Sequence, residues 1–285
     1  MAGTGKTAPG CSPEMAPAPL LNGPSCSPAH LGSSVVDWDA RNYDRLSDPH
    51  VRWGAAVLER LDLAGDETVL DAGCGTGRVT EQLLSRLPRG SVVALDASPA
   101  MLGEARARFS RLPGGERVSF VEADLLELTP EYLEGRGRLD AVFSTATFHW
   151  VADHERLFAN LRSVLRDGGQ FVAQCGGEGN IAGVLAAVKR LGAERAGTWL
   201  YAPAWETAKR LERAGFGEVR CWCHPDPVSF PDRGALADFL QTVCLREHLG
   251  TLEPPERRRF AQRVAEEMPE PVIDYVRLNI VARAI

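Results

Sequence analysis

The chain has 285 residues, 44% of them hydrophobic, and a formal net charge of −6 at pH 7. That is enough apolar material for the core of one α/β catalytic unit, and the acidic balance argues against nucleic acid as the main partner. No apolar run is long enough to span a bilayer, and seven scattered cysteines without a secretion signal point to reduced thiols in a cytoplasmic protein.

Residues 1–34 hold six prolines, five glycines and five serines. Such a segment buries too little surface to offset its ordering entropy, and disorder is expected. The first core element is Val69-Leu70-Asp71-Ala72, an apolar run that breaks into Gly73, Gly75 and Gly77. It reads as a buried parallel strand entering a tight turn where backbone approaches a ligand closely. Arg78 to Leu87 has helical spacing, with Val79, Leu83, Leu84 and Leu87 on one face. A dinucleotide fingerprint would need a glycine where Arg78 stands. Ser91 to Leu95 forms a second strand ending at Asp96, a carboxylate placed to accept from both hydroxyls of a ribose. An ordinary turn acid leading into a helix at Ser98-Pro99 explains Asp96 equally well.

Val118 to Leu125 and Leu139 to Thr145 give a third and a fourth strand, the third with Glu122 and Asp124 near its end. A helix follows from its N-cap Asp153 to Arg166, with Leu157, Leu161 and Leu165 in register and Gly168 as C-cap. His149, Asp153 and His154 straddle the loop-to-helix boundary and do not make a metal set; no metal is expected. Gln170 to Gln174 is a fifth strand. Asn180 to Leu191 and Ala204 to Ala214 are helical, the second closed by Gly215, and Glu218 to His224 is a sixth strand carrying Cys221 and Cys223 at alternating positions. Two more helices, Arg233 to Glu247 and Pro255 to Glu267, precede a final strand from Val272 to Ala284. The Arg257-Arg258-Arg259 run reads as a solvated helix face.

The acid-x-Gly-x-Gly-x-Gly turn at 71–77, the acids ending successive strands, and the segments Phe148 to Asp153 and Val164 to Gly169 resemble the class I S-adenosylmethionine-dependent methyltransferases. The likeness runs from Asp37 to Ile285 and is strongest to the trans-aconitate methyltransferase branch; Asp167 replaces the proline usual in the family's turn. The resemblance implies an α/β fold, Rossmann-like and doubly wound. Its sheet would be seven-stranded and mostly parallel, with helices on both faces. This methyltransferase domain would cover 35–285, with a helical cap inserted at about 232–268. It also assigns S-adenosyl-L-methionine as cofactor: Asp71, Gly73, Gly75 and Gly77 to the cofactor turn, Asp96 and Ala97 to the ribose and adenine edge, Asp124 to the adenine amino group and the Leu125 N–H to the ring.

Within 36–44, Tyr43 corresponds to the tyrosine that closes over the methionine end, while Trp38 has packing as an alternative. His149 and Trp150 would project at the catalytic edge. His149 is either a base for a hydroxyl or carbon acid, or a packing histidine. Trp199, Tyr201, Arg246, His248 and Arg277 would line the cap. Ser144 to Thr147 stands where amino-methylating nucleic-acid enzymes carry Asn/Asp-Pro-Pro-aromatic, so a small molecule is the expected substrate, with neither nucleic acid nor membrane as partner. O-methylation of a carboxylic acid by a monomer or homodimer is the leading expectation. A cofactor-binding partner protein without turnover and a nicotinamide-dependent oxidoreductase are the alternatives.

Overall fold

The computed structural model describes residues 1–3, 48–133, 135–193, 199–250 and 252–285. Contacts divide the chain into Met1–Val35 and Val36–Ile285, and every helix and strand described belongs to the second unit. Nearly all of the 1–34 segment, together with Trp38 and Tyr43, lies outside the described residues.

Seven strands form the main sheet: β1 Thr68–Ala72, β2 Ser91–Asp96, β3 Val118–Glu122, β4 Leu139–Thr145, β5 Leu165–Gly176, β6 Phe216–Pro225 and β9 Val276–Ala284. Their spatial order is β3-β2-β1-β4-β5-β9-β6, and all pairs are parallel except those that β9 makes with β5 and β6. The order reverses between β1 and β4, where a doubly wound sheet opens its ligand crevice beyond the carboxyl ends of the strands. Two short strands, β7 Val228–Ser229 and β8 Val272–Ile273, pair in a separate ribbon.

Helices cover both faces because the strands are apolar on both. Val69, Val92 and Ala94 pack with Leu83 and Leu84 of α2 (Arg78–Ser85), Phe109 of α3 (Pro99–Phe109) and Val57 of α1 (Asp48–Leu58). Leu70, Val93 and Phe171 pack on the opposite face with Leu157, Phe158 and Leu161 of α4 (His154–Val164) and Leu211 of α6 (Ala204–Arg213). A further apolar cluster joins α5 (Ala182–Arg190), α7 (Arg233–Phe239) and α9 (Pro254–Glu267) with Trp53 and Tyr275. The helices at 232–268 therefore share their core with α5 and with α1, rather than forming a self-contained insertion.

Several sequence boundaries move. The helix after Asp153 ends at Val164, and Leu165 already pairs with Leu139, so Gly168 (φ +75°) turns inside a bulged β5 instead of capping a helix. Asp153 does cap that helix, accepting from the Arg156 N–H. The helix expected over Arg233–Glu247 is broken: Leu240–Cys244 is a π turn, closed by Leu245 N–H donating to Leu240 O at 2.9 Å, and a short α8 (Arg246–Leu249) follows. One extra residue in that turn re-aims Val243 and Cys244. The final strand is interrupted at Asp274-Tyr275, because Val272 and Ile273 pair with β7 instead. β3 stops at Glu122, and β6 begins at Phe216 with Glu218 in a bulge at φ +49°.

Candidate active site

The turn after β1 is tied to the ends of β2 and β3 by backbone. Gly73 and Cys74 N–H both donate to Leu95 O (2.8 and 2.9 Å), Gly75 N–H donates to Asp96 Oδ2 (2.8 Å), and Ala123 N–H donates to Asp96 O (3.2 Å). Asp96 Oδ1 accepts from Ser98 N–H (2.9 Å), so the carboxylate is both a turn acid and the organiser of the glycine loop. Ala97 is exposed beside it; Asp124 is exposed with Oδ1 accepting from Leu126 N–H (2.8 Å), and Leu125 is buried.

The three glycines have three different reasons. At Gly73 (φ +86°) an added Cβ would fall 2.7 Å from Thr147 Cβ and nearer still to its Oγ1 and Cγ2. At Gly77 (φ +82°) it would fall 2.8 Å from the Phe109 ring. At Gly75 (φ +55°) it would meet nothing within 4 Å, so this is the point where the turn lies open toward the crevice. A left-handed turn with an open glycine and an acceptor carboxylate beside it fits the ribose and amino-acid portions of a nucleoside cofactor.

Asp71 lies beneath the turn, not in it. It is buried, its Oδ2 accepts from the Thr80 hydroxyl at 2.6 Å, and burial, with Asp96 nearby adding a smaller push in the same direction, raises it to about 7 despite that hydrogen bond. Its chemistry is to hold α2 against β1.

Next to the turn, beyond β4, Ala146, His149 and Trp150 face Asn180, Ile181, Trp199, Tyr201, Val243, Cys244, Tyr275 and Arg277 around a small cavity that opens to solvent. The two are joined by Thr147, whose hydroxyl donates to Gly73 O (3.2 Å). Two of the wall residues are backbone outliers: Ala146 at φ +55° and Ile181 at φ +50°. A β-branched residue is strained there, and such strain is held where surrounding structure over-determines it. Ala146 N–H donates to Gln174 O (2.8 Å) and Ile181 N–H to Asp274 O (3.1 Å).

His149 is nearly buried, and its Nδ1 accepts from Gly176 N–H at 3.3 Å. An imidazole accepting at Nδ1 carries its proton on Nε2, so this side chain acts as a donor and not as a ready base. Arg277 is 1% exposed, with its Nε donating to Gln174 Oε1 (3.3 Å) and its guanidinium 4.0 Å from the centroid of the Trp53 ring. Trp53 is itself held by Nε1–H donating to Asp226 Oδ2 (2.5 Å).

Of the residues the sequence singles out, His149, Trp150, Trp199, Tyr201 and Arg277 come together in this cavity. Arg246 does not; it opens α8, half-buried, outside the described lining, because the π turn before it sends Val243 and Cys244 to the wall instead. His248 is buried behind Trp199 (ring centroids 5.8 Å). Asn180, Ile181 and Tyr275 were missed, as was Trp53. Asn180 and Ile181 carry no sequence signal, whereas Tyr275 stands two before Arg277, on the same face of the strand expected over Val272 to Ala284, although that strand is interrupted at Tyr275.

Residues 69–169 match the methyltransferase domain family. A trans-aconitate 2-methyltransferase from Methylobacterium radiotolerans is 31% identical over 238 residues, covering 79% of this chain and 86% of that protein. One from Shigella dysenteriae is 30% identical over 262 residues, covering 87% and 99%. Among solved structures, a Haemonchus contortus phosphoethanolamine N-methyltransferase 2 in complex with S-adenosyl-L-methionine shares the fold at a TM-score of 0.59 and 16% identity, covering 86% of this chain and 57% of that one.

Proposed function

Because the chain belongs to the class I S-adenosylmethionine-dependent methyltransferases, in the trans-aconitate 2-methyltransferase-like branch, we propose that it O-methylates a small carboxylic acid. It is a methyltransferase using S-adenosyl-L-methionine. The observation that carries the acceptor class is the charge of the cavity beside the glycine turn. Among the described residues its wall includes a buried arginine, Arg277, and no acidic side chain. A guanidinium in a pocket wall favours an anionic or acceptor-rich ligand, and a carboxylate matches its planar fork.

S-adenosyl-L-methionine held at the turn by Gly75, Asp96, Asp124 and the Leu125 N–H would supply a methyl group on a positively charged sulfur and leave as neutral S-adenosylhomocysteine, and an acceptor already ionised as a carboxylate would have no proton to lose. The protein's share is positioning in a dry pocket. Gly75 leaves room for the cofactor, Asp96 accepts from its ribose, and Asp124 with the Leu125 N–H borders its base. Arg277 and the His149 Nε2–H orient the acid. A carboxylate is ionised near pH 4 and above, so no base is needed, which agrees with an imidazole held as donor. The acceptor is a small molecule. Among the described residues, no helix is long and apolar enough to cross a membrane.

The test is methyl transfer from methyl-labelled S-adenosylmethionine to a pool of carboxylic acids. The expected product is a methyl ester whose label mild alkali releases as methanol. An alkali-stable product, methylated on phenolic oxygen, nitrogen or carbon, would refute the assignment.

A further inference from the structure

The cavity wall says more than that an anion is welcome. Trp199 and Tyr201 lie 23° from parallel with centroids 6.0 Å apart, Tyr201 and His149 27° from parallel at 5.9 Å, and Trp150 meets Trp199 edge-on at 5.6 Å. These rings, stacked in series with Trp150 edge-on to them, make an aromatic wall, and a flat unsaturated body packs against ring faces and edges with a geometry that a puckered, saturated chain does not match. The rest of the wall is largely uncharged and apolar, including Ala146, Ile181, Val243 and Cys244.

Charge is concentrated at one point. Arg277 is the one permanent cation among the described lining residues, and the Trp53 ring and Gln174 fix its place. A second donor in the wall is neutral: the Trp199 indole N–H is buried and has no partner among the described residues. A ligand carrying several carboxylates could set only one on Arg277, and the others would find only neutral donors such as the His149 and Trp199 N–H groups, which compensate a buried ion less than a cation does.

We propose that the acid is a flat, unsaturated monocarboxylic acid of the aryl or arylvinyl class, and not a tricarboxylate of the kind in the relatives' name. Its carboxylate sits at Arg277, and its uncharged body lies against the aromatic wall of Trp199, Tyr201 and His149. The inference rests on the carboxylate reading above.

The experiment compares trans-cinnamate, its saturated counterpart 3-phenylpropionate, and trans-aconitate on the full chain. One readout is kcat/KM for S-adenosylhomocysteine formation; the other is quenching of tryptophan fluorescence by each acid with S-adenosylhomocysteine present. In both, trans-cinnamate is expected to exceed each of the others by about tenfold, the order of one aromatic contact or one unpaired charge. In Trp199→Leu the gap between cinnamate and 3-phenylpropionate should shrink to about twofold. Equal or better use of trans-aconitate overturns the single-charge claim while leaving carboxylate methylation standing. Equal use of 3-phenylpropionate overturns the flat-body claim. Failure of all three acids, with a phenol methylated instead, overturns the carboxylate reading and this inference with it.

Discussion

Adding one methyl group to the glycine turn should separate cofactor binding from folding, because the three glycines face different neighbours. In Gly75→Ala the new Cβ meets nothing within 4 Å, so the cost to stability is only that of holding alanine at φ +55°. That strain is roughly 1–2 kcal/mol, or a Tm lower by about 2–8 °C for a domain of this size. The methyl group projects into the open side of the turn, beside the amide that donates to Asp96, and S-adenosylhomocysteine binding should weaken by at least about tenfold. In Gly73→Ala the same strain is joined by overlap with Thr147, which hydrogen bonds to Gly73 O and Thr145 O prevent from swinging aside. Strain and overpacking together come to about 2–5 kcal/mol, which lowers Tm by roughly 5–20 °C. Thermal melting and calorimetric titration with S-adenosylhomocysteine on both variants make the assay. Wild-type affinity in a folded Gly75→Ala would refute the placement of the cofactor over that glycine, and wild-type melting of Gly73→Ala would refute the packing argument.

Asp96→Ala should weaken S-adenosylmethionine binding by roughly 10- to 100-fold, the worth of one or two hydrogen bonds to a charged group, as read by the same titration. Wild-type affinity would reduce Asp96 to a turn acid. Asp71, raised by burial to about 7 from an ordinary value of 3.8, favours the unfolded chain progressively as pH climbs from about 4 to 7, since the unfolded carboxyl releases its proton first. Asp71→Asn should therefore lose less stability than the wild type between pH 5 and 8 in denaturant titrations, and parallel pH profiles would contradict the assignment. For the acid substrate, kcat should stay flat from pH 6 to 8.5; an acid limb near pH 6.5 that vanishes in His149→Gln would restore that histidine as a base.

The cofactor end was legible because local constraints write it into adjacent residues. A left-handed turn demands glycine, a strand end demands a turn acid, and both fall within the span from Asp71 to Asp96. What sequence could not show is where burial alters chemistry: Asp71 has the family's position, yet its carboxylate is occupied by Thr80 beneath the turn. The cavity was half legible. His149 and Trp150 follow β4 directly, but Asn180, Tyr275 and Arg277 reach it only because β9 inserts antiparallel beside β5, pairing Arg277 with Gly176 across about a hundred residues of chain. Helical periodicity ran straight through the π turn at 240–244, which is why Arg246 was counted in the wall and Val243 and Cys244 were not. A one-residue widening leaves no mark on a hydrophobic pattern.

The most direct test of the account is a titration of trans-cinnamate into the S-adenosylhomocysteine complex of the wild type, Arg277→Lys and Arg277→Gln, with melting curves confirming that each is folded. The account predicts affinity that falls by about tenfold or more in Arg277→Gln and is partly kept in Arg277→Lys, where a charge remains. Equal binding by a folded Arg277→Gln would show that the acid does not sit at this arginine, and the cavity would lose its place as the substrate site.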